Sequence, residues 1–332
     1  MSEATPPHRR ARRAGIALVV LLALLGAGAW GAGALHRLWS GPGPLTEPVQ
    51  VVIPRGGVER IAATLIERGV IRDARAFGIA AWITRGAGPL RAAEFAFPAG
   101  APLSEVLRIL REGRPVQRRL TIAEGLTAFQ IRALLERTEG LTGETPAIEE
   151  GALLPETYLF EWGESRAALA RRAAAAMDRA LAEAWAARTP DLPLATPREA
   201  LILASIIERE TGEADERGLV AGVFVNRLRR GMPLQTDPTV AYAMTGGAPM
   251  DRPISRADLD RDHPYNTYRI RGLPPGPIAS PGRASLLAAT RPEATEFLFF
   301  VADGTGGHAF ARTLEEHNRN VARWREIERQ RR

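Results

Sequence analysis

The chain has 332 residues with no cysteine, 44 basic residues that are all arginine, and 38 acidic ones, for a net charge of +6. That length allows two domains with a sizeable core, and the lack of thiols excludes a disulfide framework and thiol chemistry. No basic-aromatic motif of a nucleic-acid module occurs, so nucleic acid is not an expected partner; an acidic polymer or an anionic membrane face is compatible with the charge.

Arg9, Arg10, Arg12 and Arg13 precede an uncharged apolar run from Gly15 to Leu35, followed by His36 and Arg37. Twenty helical residues cover about 30 Å, the thickness of a bilayer core. The pattern predicts a cytoplasmic tail over 1–14 and a transmembrane helix over 15–35, with the arginine cluster keeping the tail inside and the rest of the chain outside. A cleaved signal peptide is the competing reading, because Ala32-Gly33-Ala34 resembles a cleavage site. A linker is expected over 36–47, where Gly41-Pro42-Gly43-Pro44 opposes regular structure.

Strands and helices then interleave. Val49 to Ile53 reads as a strand, and Val58, Ile61, Ala62, Leu65 and Ile66 fall at helical spacing before Gly69. A second helix follows Asp73. Phe95 and Phe97 alternate in a strand, and a helix from Ser104 stops at Gly113. These elements predict a small α+β domain over 48–115. The pattern restarts at Arg118 with a strand, a helix over Thr127–Arg137, a polar loop over 140–150 and a turn with buried aromatics over 151–160. A long Ala-rich helix spans Ser165 to Arg188.

The stretch Thr196 to Gly212, TPREALILASIIERETG, stands apart. Thr196 suits an N-cap, Pro197 the first helical position, Glu199 a capping box and Gly212 a left-handed C-cap. Ala200 to Ile207 is apolar on every face except Ser205, which predicts a core helix. Glu208 and Glu210 follow at once. At about 100° per residue they point roughly 200° apart, so they cannot share one environment. Beyond Gly212, Val220, Phe224 and Leu228 mark a helix ended by Gly231. Asp237-Pro238 reads as the cap and first position of another. The aperiodic segment 262–282, dense in Pro, Gly and Tyr, is expected to be a functional loop. Phe297 to Val301 reads as a strand, Asp303-Gly304 as a turn, and Thr313 to Glu316 as the capping box of a last helix.

Metal chemistry is not expected, since the histidines at 8, 36, 263, 308 and 317 form no i,i+4 pair and no cysteine assists them. Neither a nucleophile elbow nor a nucleotide-binding Gly-rich loop is present, so no cofactor is expected, and Ser205 is expected to bond back to a helix carbonyl. Acid chemistry remains. A carboxyl held against Ile and Leu keeps its proton near neutral pH and can protonate a glycosidic oxygen. Glu210 stacks one turn after Ile206 and Ile207, which favours it slightly over Glu208. Gln235, Tyr242, Tyr265, Asn266 and Tyr268 are the amides and aromatic faces that hold sugar polymers; a core tyrosine or a local turn contact is the alternative role of each, and a local cap that of Asn226.

The segment Leu203-Ala204-Ser205-Ile206-Ile207-Glu208-Arg209-Glu210-Thr211 resembles the signature of the YceG-like family of membrane-anchored endolytic murein transglycosylases. Val223-Phe224-Val225-Asn226-Arg227-Leu228, Leu234-Gln235-Thr236-Asp237-Pro238-Thr239, Pro264-Tyr265-Asn266-Thr267-Tyr268, Gly272 to Ile278, Phe299 to Gly304, Gly307-His308 and His317-Asn318 match in the same order. The resemblance covers essentially everything after the apolar run. It implies an α+β fold with an N-terminal transmembrane helix, a LysM-like domain over 48–115 and a catalytic domain over 116–332 built on a buried catalytic helix. It implies cleavage of internal MurNAc–GlcNAc bonds of peptidoglycan glycan strands to 1,6-anhydroMurNAc ends, trimming or terminating nascent strands. Glu210 is then the catalytic acid and base, with Glu208, Asn226, Gln235, Thr236, Asp237, Tyr242, Tyr265, Asn266, Thr267 and Tyr268 toward the substrate. The implied place is the inner (plasma) membrane, with the catalytic domain on the periplasmic, extracytoplasmic side and peptidoglycan synthases as further partners. A muramidase-type hydrolase and a non-catalytic peptidoglycan-binding scaffold are the alternatives.

Overall fold

The computed structural model describes residues 7–331, with side chains from Leu18 onward. The first six residues of the expected cytoplasmic tail lie outside the described residues. The chain divides into two compact units, one ending at Gln117 and the other beginning at Arg118. The described part of the chain is α+β.

The first unit opens with helix α1 (Pro7–Ser40). Its stretch Leu18–Ser40 is long and apolar enough to cross a membrane, a test that a signal sequence also passes. The helix runs past the boundary expected at residue 35, so residues 36–40 are helical and not linker. Neither Gly nor Pro occurs between Leu35 and Gly41, whose N–H still donates to the Arg37 carbonyl at 2.9 Å. A Cβ at Gly41 would run into that carbonyl, so the chain leaves the helix where only glycine fits. Strand β1 (Val49–Val52), helices α2 (Val58–Glu67) and α3 (Ala74–Ile83), strand β2 (Glu94–Phe97) and helix α4 (Leu103–Glu112) follow. The strands pair antiparallel, with Val49 opposite Phe97 and Val51 opposite Phe95. Asp73 caps α3 by accepting from the N–H groups of Arg75 and Ala76 at 2.7 and 3.1 Å. Helix α4 starts one residue before Ser104, because Pro102 occupies its N-cap. Ile61, Leu65, Phe77, Phe95, Phe97, Leu107 and Leu110 form the core.

Strand β3 (Gln117–Thr121) crosses into the second unit after its first residue, and helix α5 (Ala128–Arg137) follows, whose Thr127 and Gln130 form a capping box. Strand β4 (Thr157–Glu161) pairs with β3, where a turn was the expectation. Its signal lies in the alternation of buried Tyr158 and Phe160 with exposed Thr157 and Leu159, which the preceding Pro155 obscures. Helices α6 (Arg166–Ala186), α7 (Pro197–Glu210), α8 (Arg217–Arg229), α9 (Asp237–Thr245), α10 (Arg256–Leu259) and α11 (Arg283–Thr290) come next. Strands β5 (Phe299–Ala302) and β6 (His308–Ala311) form an antiparallel hairpin, and α12 (Leu314–Arg331) ends the described chain.

Helix α7 is the centre of this unit. Every residue from Ala200 to Ile207 is buried, and α6, α8, α9 and α11 surround it. Removing each Leu or Ile from water contributes about 1.5–3 kcal/mol, so one helix accounts for much of this core. Thr196 accepts from the Glu199 N–H at 3.2 Å, as the capping pattern requires. The Glu199 carboxylate, however, accepts from the Ala195 N–H at 2.5 Å, one residue before the cap. The expected left-handed cap at Gly212 is absent. Thr211 ends the helix in an extended conformation (φ −134°, ψ 133°), and its hydroxyl accepts from the Glu213 N–H at 3.0 Å.

Candidate active site

Ser205 lies inside the core and donates to the Ile202 carbonyl at 2.7 Å, the back-bond its position implies. The same oxygen accepts from the Ile278 N–H at 3.0 Å, pinning the Pro-rich segment against α7. One turn later the two acids diverge as the helical period demands. Glu208 accepts from the Gly282 N–H at 2.9 Å. Glu210 turns the other way, where its Oε2 accepts from the Thr236 hydroxyl at 2.5 Å.

Glu210 opens onto a cavity of about 480 Å³. Arg227, Gln235, Asp237, Tyr268, His308 and His317 supply its polar lining. Phe299, Phe300 and Val301 of β5, with Leu314 and Trp324 of α12, supply the apolar lining. The Glu210 carboxyl keeps some contact with the cavity and is otherwise enclosed by protein. Burial therefore pushes its pKa above the usual carboxylate value, and the neighbouring Asp237 pushes the same way. The Thr236 hydrogen bond and the proximity of His308 and Arg227 pull it down, but burial is the largest effect.

The loop expected over 262–282 contributes Tyr268 to the cavity. Asn266 is fully buried, and its amide donates to the carbonyls of Asp258, Leu259 and Arg261 at 3.3, 3.0 and 2.7 Å. Its Oδ1 accepts from the Tyr268 N–H at 3.0 Å. Thr267 accepts from the Thr236 N–H at 3.1 Å and shares a 2.8 Å hydrogen bond with Thr239. Tyr268 then reaches the cavity and donates its hydroxyl to Asp237 at 2.7 Å. Helix α9 starts one residue earlier than expected. Thr236 holds the N-cap position yet caps nothing, because its hydroxyl is committed to Glu210. That shift leaves the Asp237 side chain free for Tyr268.

The residues singled out in the sequence thus separate into groups. Gln235, Asp237 and Tyr268 line the cavity with Glu210, and Thr236 lies directly behind it. Thr267 and Asn266 hold that wall from within the protein. Asn226 donates to the carbonyls of Thr295 and Phe297 at 2.8 and 3.1 Å, which ties α8 to the segment leading into β5. Tyr242 and Tyr265 pair elsewhere, with ring centroids 4.9 Å apart, and Glu208 is also outside the cavity lining. Burial and the adjacent Glu150 raise the Tyr242 hydroxyl pKa.

Three contributors were not marked as site residues. Arg227 is buried and donates to the carbonyls of Leu298 and Leu234 at 2.7 and 2.8 Å, with its guanidinium 5.1 Å over the Phe299 ring. An arginine inside an apolar helical run was its visible signal. Burial lowers its pKa, while Tyr268 and Glu210 oppose that effect. His308 Nδ1 is 2.7 Å from Glu216, whose other oxygen accepts the His308 N–H at 2.8 Å. The His317 ring stacks on Phe299 at 5.2 Å, and burial lowers its pKa. No grouping of three or more His, Asp or Glu that could hold a metal occurs among the described residues. The cavity therefore presents one acid of raised pKa beside Asp237 and an aromatic wall, an arrangement suited to proton transfer.

The chain is 40% identical over 170 residues to an endolytic murein transglycosylase of Bacillus subtilis, covering 51% of this chain and 46% of that protein. It is 30% identical over 325 residues to a Streptococcus pneumoniae protein of the same name, covering 82% of this chain and 58% of that one. The chain thus spans about half the length of the curated relatives it matches. A crystal structure of a yceG-like protein from Listeria monocytogenes superposes with a TM-score of 0.53 at 29% identity, covering 82% of this chain and 98% of that one. The YceG-like family model matches residues 51–323, a span that takes in every element of the cavity up to Trp324's helix. By that match the chain belongs to the YceG-like family.

Proposed function

We propose that this chain is an endolytic murein transglycosylase that cuts glycan strands of peptidoglycan with Glu210 as its acid and base. The observation that carries this reading is the Glu210 carboxyl itself, its pKa raised by burial at the edge of a cavity large enough for a sugar, in a chain whose curated relatives bear that name. Thr236 occupies Oε2, which leaves Oε1 to carry the proton toward the cavity. That proton passes to the oxygen linking MurNAc C1 to GlcNAc C4 as the C1–O bond breaks. The MurNAc 6-hydroxyl oxygen bonds to C1, and its proton passes to the Glu210 carboxylate. The acid is regenerated, no water is consumed, and a 1,6-anhydroMurNAc end results. Glu208 is the supporting acid that holds the Gly282 turn.

The antiparallel strand–helix–helix–strand unit β1 to β2 supports the reading of 48–115 as a LysM-like domain. Helix α1 supports a retained anchor in the plasma membrane, with 116–332 as the catalytic domain on the extracytoplasmic side near the synthases that supply new strands. A muramidase-type hydrolase is the second reading, favoured by Asp237 beside Glu210, since two carboxylates with one water would suffice.

Mass spectrometry of sacculi digests separates the two. Wild type should release anhydro-ended fragments, and Glu210→Gln should lower release about 100-fold or more. Fragments heavier by one water would establish hydrolysis instead, and undiminished release by Glu210→Gln would remove Glu210 from the chemistry.

A further inference from the structure

Helix α3 is apolar on two sides. Phe77, Ala80 and Ala81 face the core of the first unit, at the i, i+3, i+4 spacing of one helix face. Ile79, Trp82 and Ile83 occupy another face at the same spacing and are 61%, 66% and 65% exposed. Elsewhere in the described chain after α1, exposed large apolar residues are scattered singly, as at Phe129, Leu159 and Leu287. A clustered exposed face marks a surface that something covers.

What covers it follows from its neighbour. Ile79 and Ile83 share the walls of an apolar trough of about 650 Å³ with Leu35, Leu38 and Trp39 of α1. The apolar surface of α3 is therefore continuous with that of the candidate span. The 23 residues of Leu18–Ser40 extend about 34 Å at 1.5 Å each, slightly more than the roughly 30 Å of a hydrocarbon core. The last turns of α1, and α3 beside them, then fall at the headgroup boundary, where tryptophan is favoured. Trp39 and Trp82 stand at that level. The Arg85 guanidinium lies 4.5 Å over the Trp82 ring, and Arg72 and Arg75 are exposed at the other end of α3. The acid between them, Asp73, is used as the helix cap. Basic ends around an apolar face suit anionic lipid headgroups.

We infer that α3 is a membrane-interface helix, with its Ile79–Trp82–Ile83 face and the trough against α1 seated among the lipids of the leaflet from which α1 emerges. This rests on α1 being a retained span, and it goes beyond that in giving the first unit a second membrane contact and a fixed face toward the bilayer. An amphipathic contact of this kind would hold the unit against the membrane and not free on a tether.

The chain has no cysteine, so single nitroxide labels report cleanly. Full-length Ile79→Cys and Ile83→Cys, both at exposed positions that tolerate substitution, would be labelled and reconstituted into phosphatidylethanolamine–phosphatidylglycerol vesicles. Collision with oxygen is compared with collision with a water-soluble nickel chelate. Leu25→Cys in the span and Leu159→Cys on exposed β4 are the references. Labels at 79 and 83 should show an oxygen-to-nickel ratio several-fold above that at 159 and below that at 25, as the headgroup boundary requires. Ratios at 79 and 83 equal to that at 159, with 25 still in lipid, overturn the interface helix while leaving the span intact. A label at 25 that is itself aqueous overturns the span, and the interface helix with it.

Discussion

Glu210 has its proton affinity set by opposing groups, and each has a sign. Burial and Asp237 raise its pKa, whereas Thr236, His308 and Arg227 lower it. A group that must be protonated to act gives a rate that falls as pH rises through its pKa. The alkaline limb of kcat/KM should therefore lie above the ordinary glutamate range. Thr236→Val removes a hydrogen bond that favours the carboxylate, so the pKa should rise further and the limb should move to higher pH. The same change weakens support for the carboxylate formed in the reaction. Hydrogen bonds to charged groups are worth about 1.5–3 kcal/mol, so kcat should fall about 10- to 100-fold. Thr236→Ser should restore both. A limb that moves down, or stays put while kcat falls, would show that Thr236 acts through packing alone.

Element by element, the wall of the cavity depends on one buried amide. Asn266 gathers three carbonyls from the chain around α10 and hands the loop on to Tyr268 through its Oδ1. Asn266→Ala leaves those groups without a donor inside the protein. The cost should be roughly 1–3 kcal/mol, read as a lower urea midpoint at unchanged m. The KM for glycan strands should rise as Tyr268 loses its support, so an unchanged midpoint and KM would refute the role. Gly282 is a second tie of the same chain segment, outside the cavity lining. Its N–H serves Glu208, and an added Cβ would run into the Glu124 carboxyl. Burial and the charge of Glu208 together raise the pKa of Glu124, so the turn also crowds two acids.

For the whole molecule, the two compact units carry separate cores, and α1 belongs to the first of them. Retention is the expected outcome: the full chain should stay with membranes through washes in high salt and in alkali. Appearance in the soluble fraction with a shortened N-terminus would identify a signal sequence instead, the other kind of segment that passes the same length and apolarity test.

Local pattern in the sequence was enough for most helices. Thr196, the apolar sweep to Ile207 and the roughly 200° between Glu208 and Glu210 are set by neighbours within one or two turns, so they are legible in order along the chain. Asp73, Thr127 and Thr313 mark helix starts for the same reason. Strands β4 and β6 were harder, because a strand is stabilised by a partner that its own four or five residues do not reveal. The cavity was hardest. Thr236 meets Glu210 across 26 residues of chain, and His308 meets Glu216 across 92. Arg227 joins the site because β5 happens to pass its helix. The direction of a hydroxyl, and which buried charge faces which acid, depend on packing between distant segments. Only the folded chain decides them.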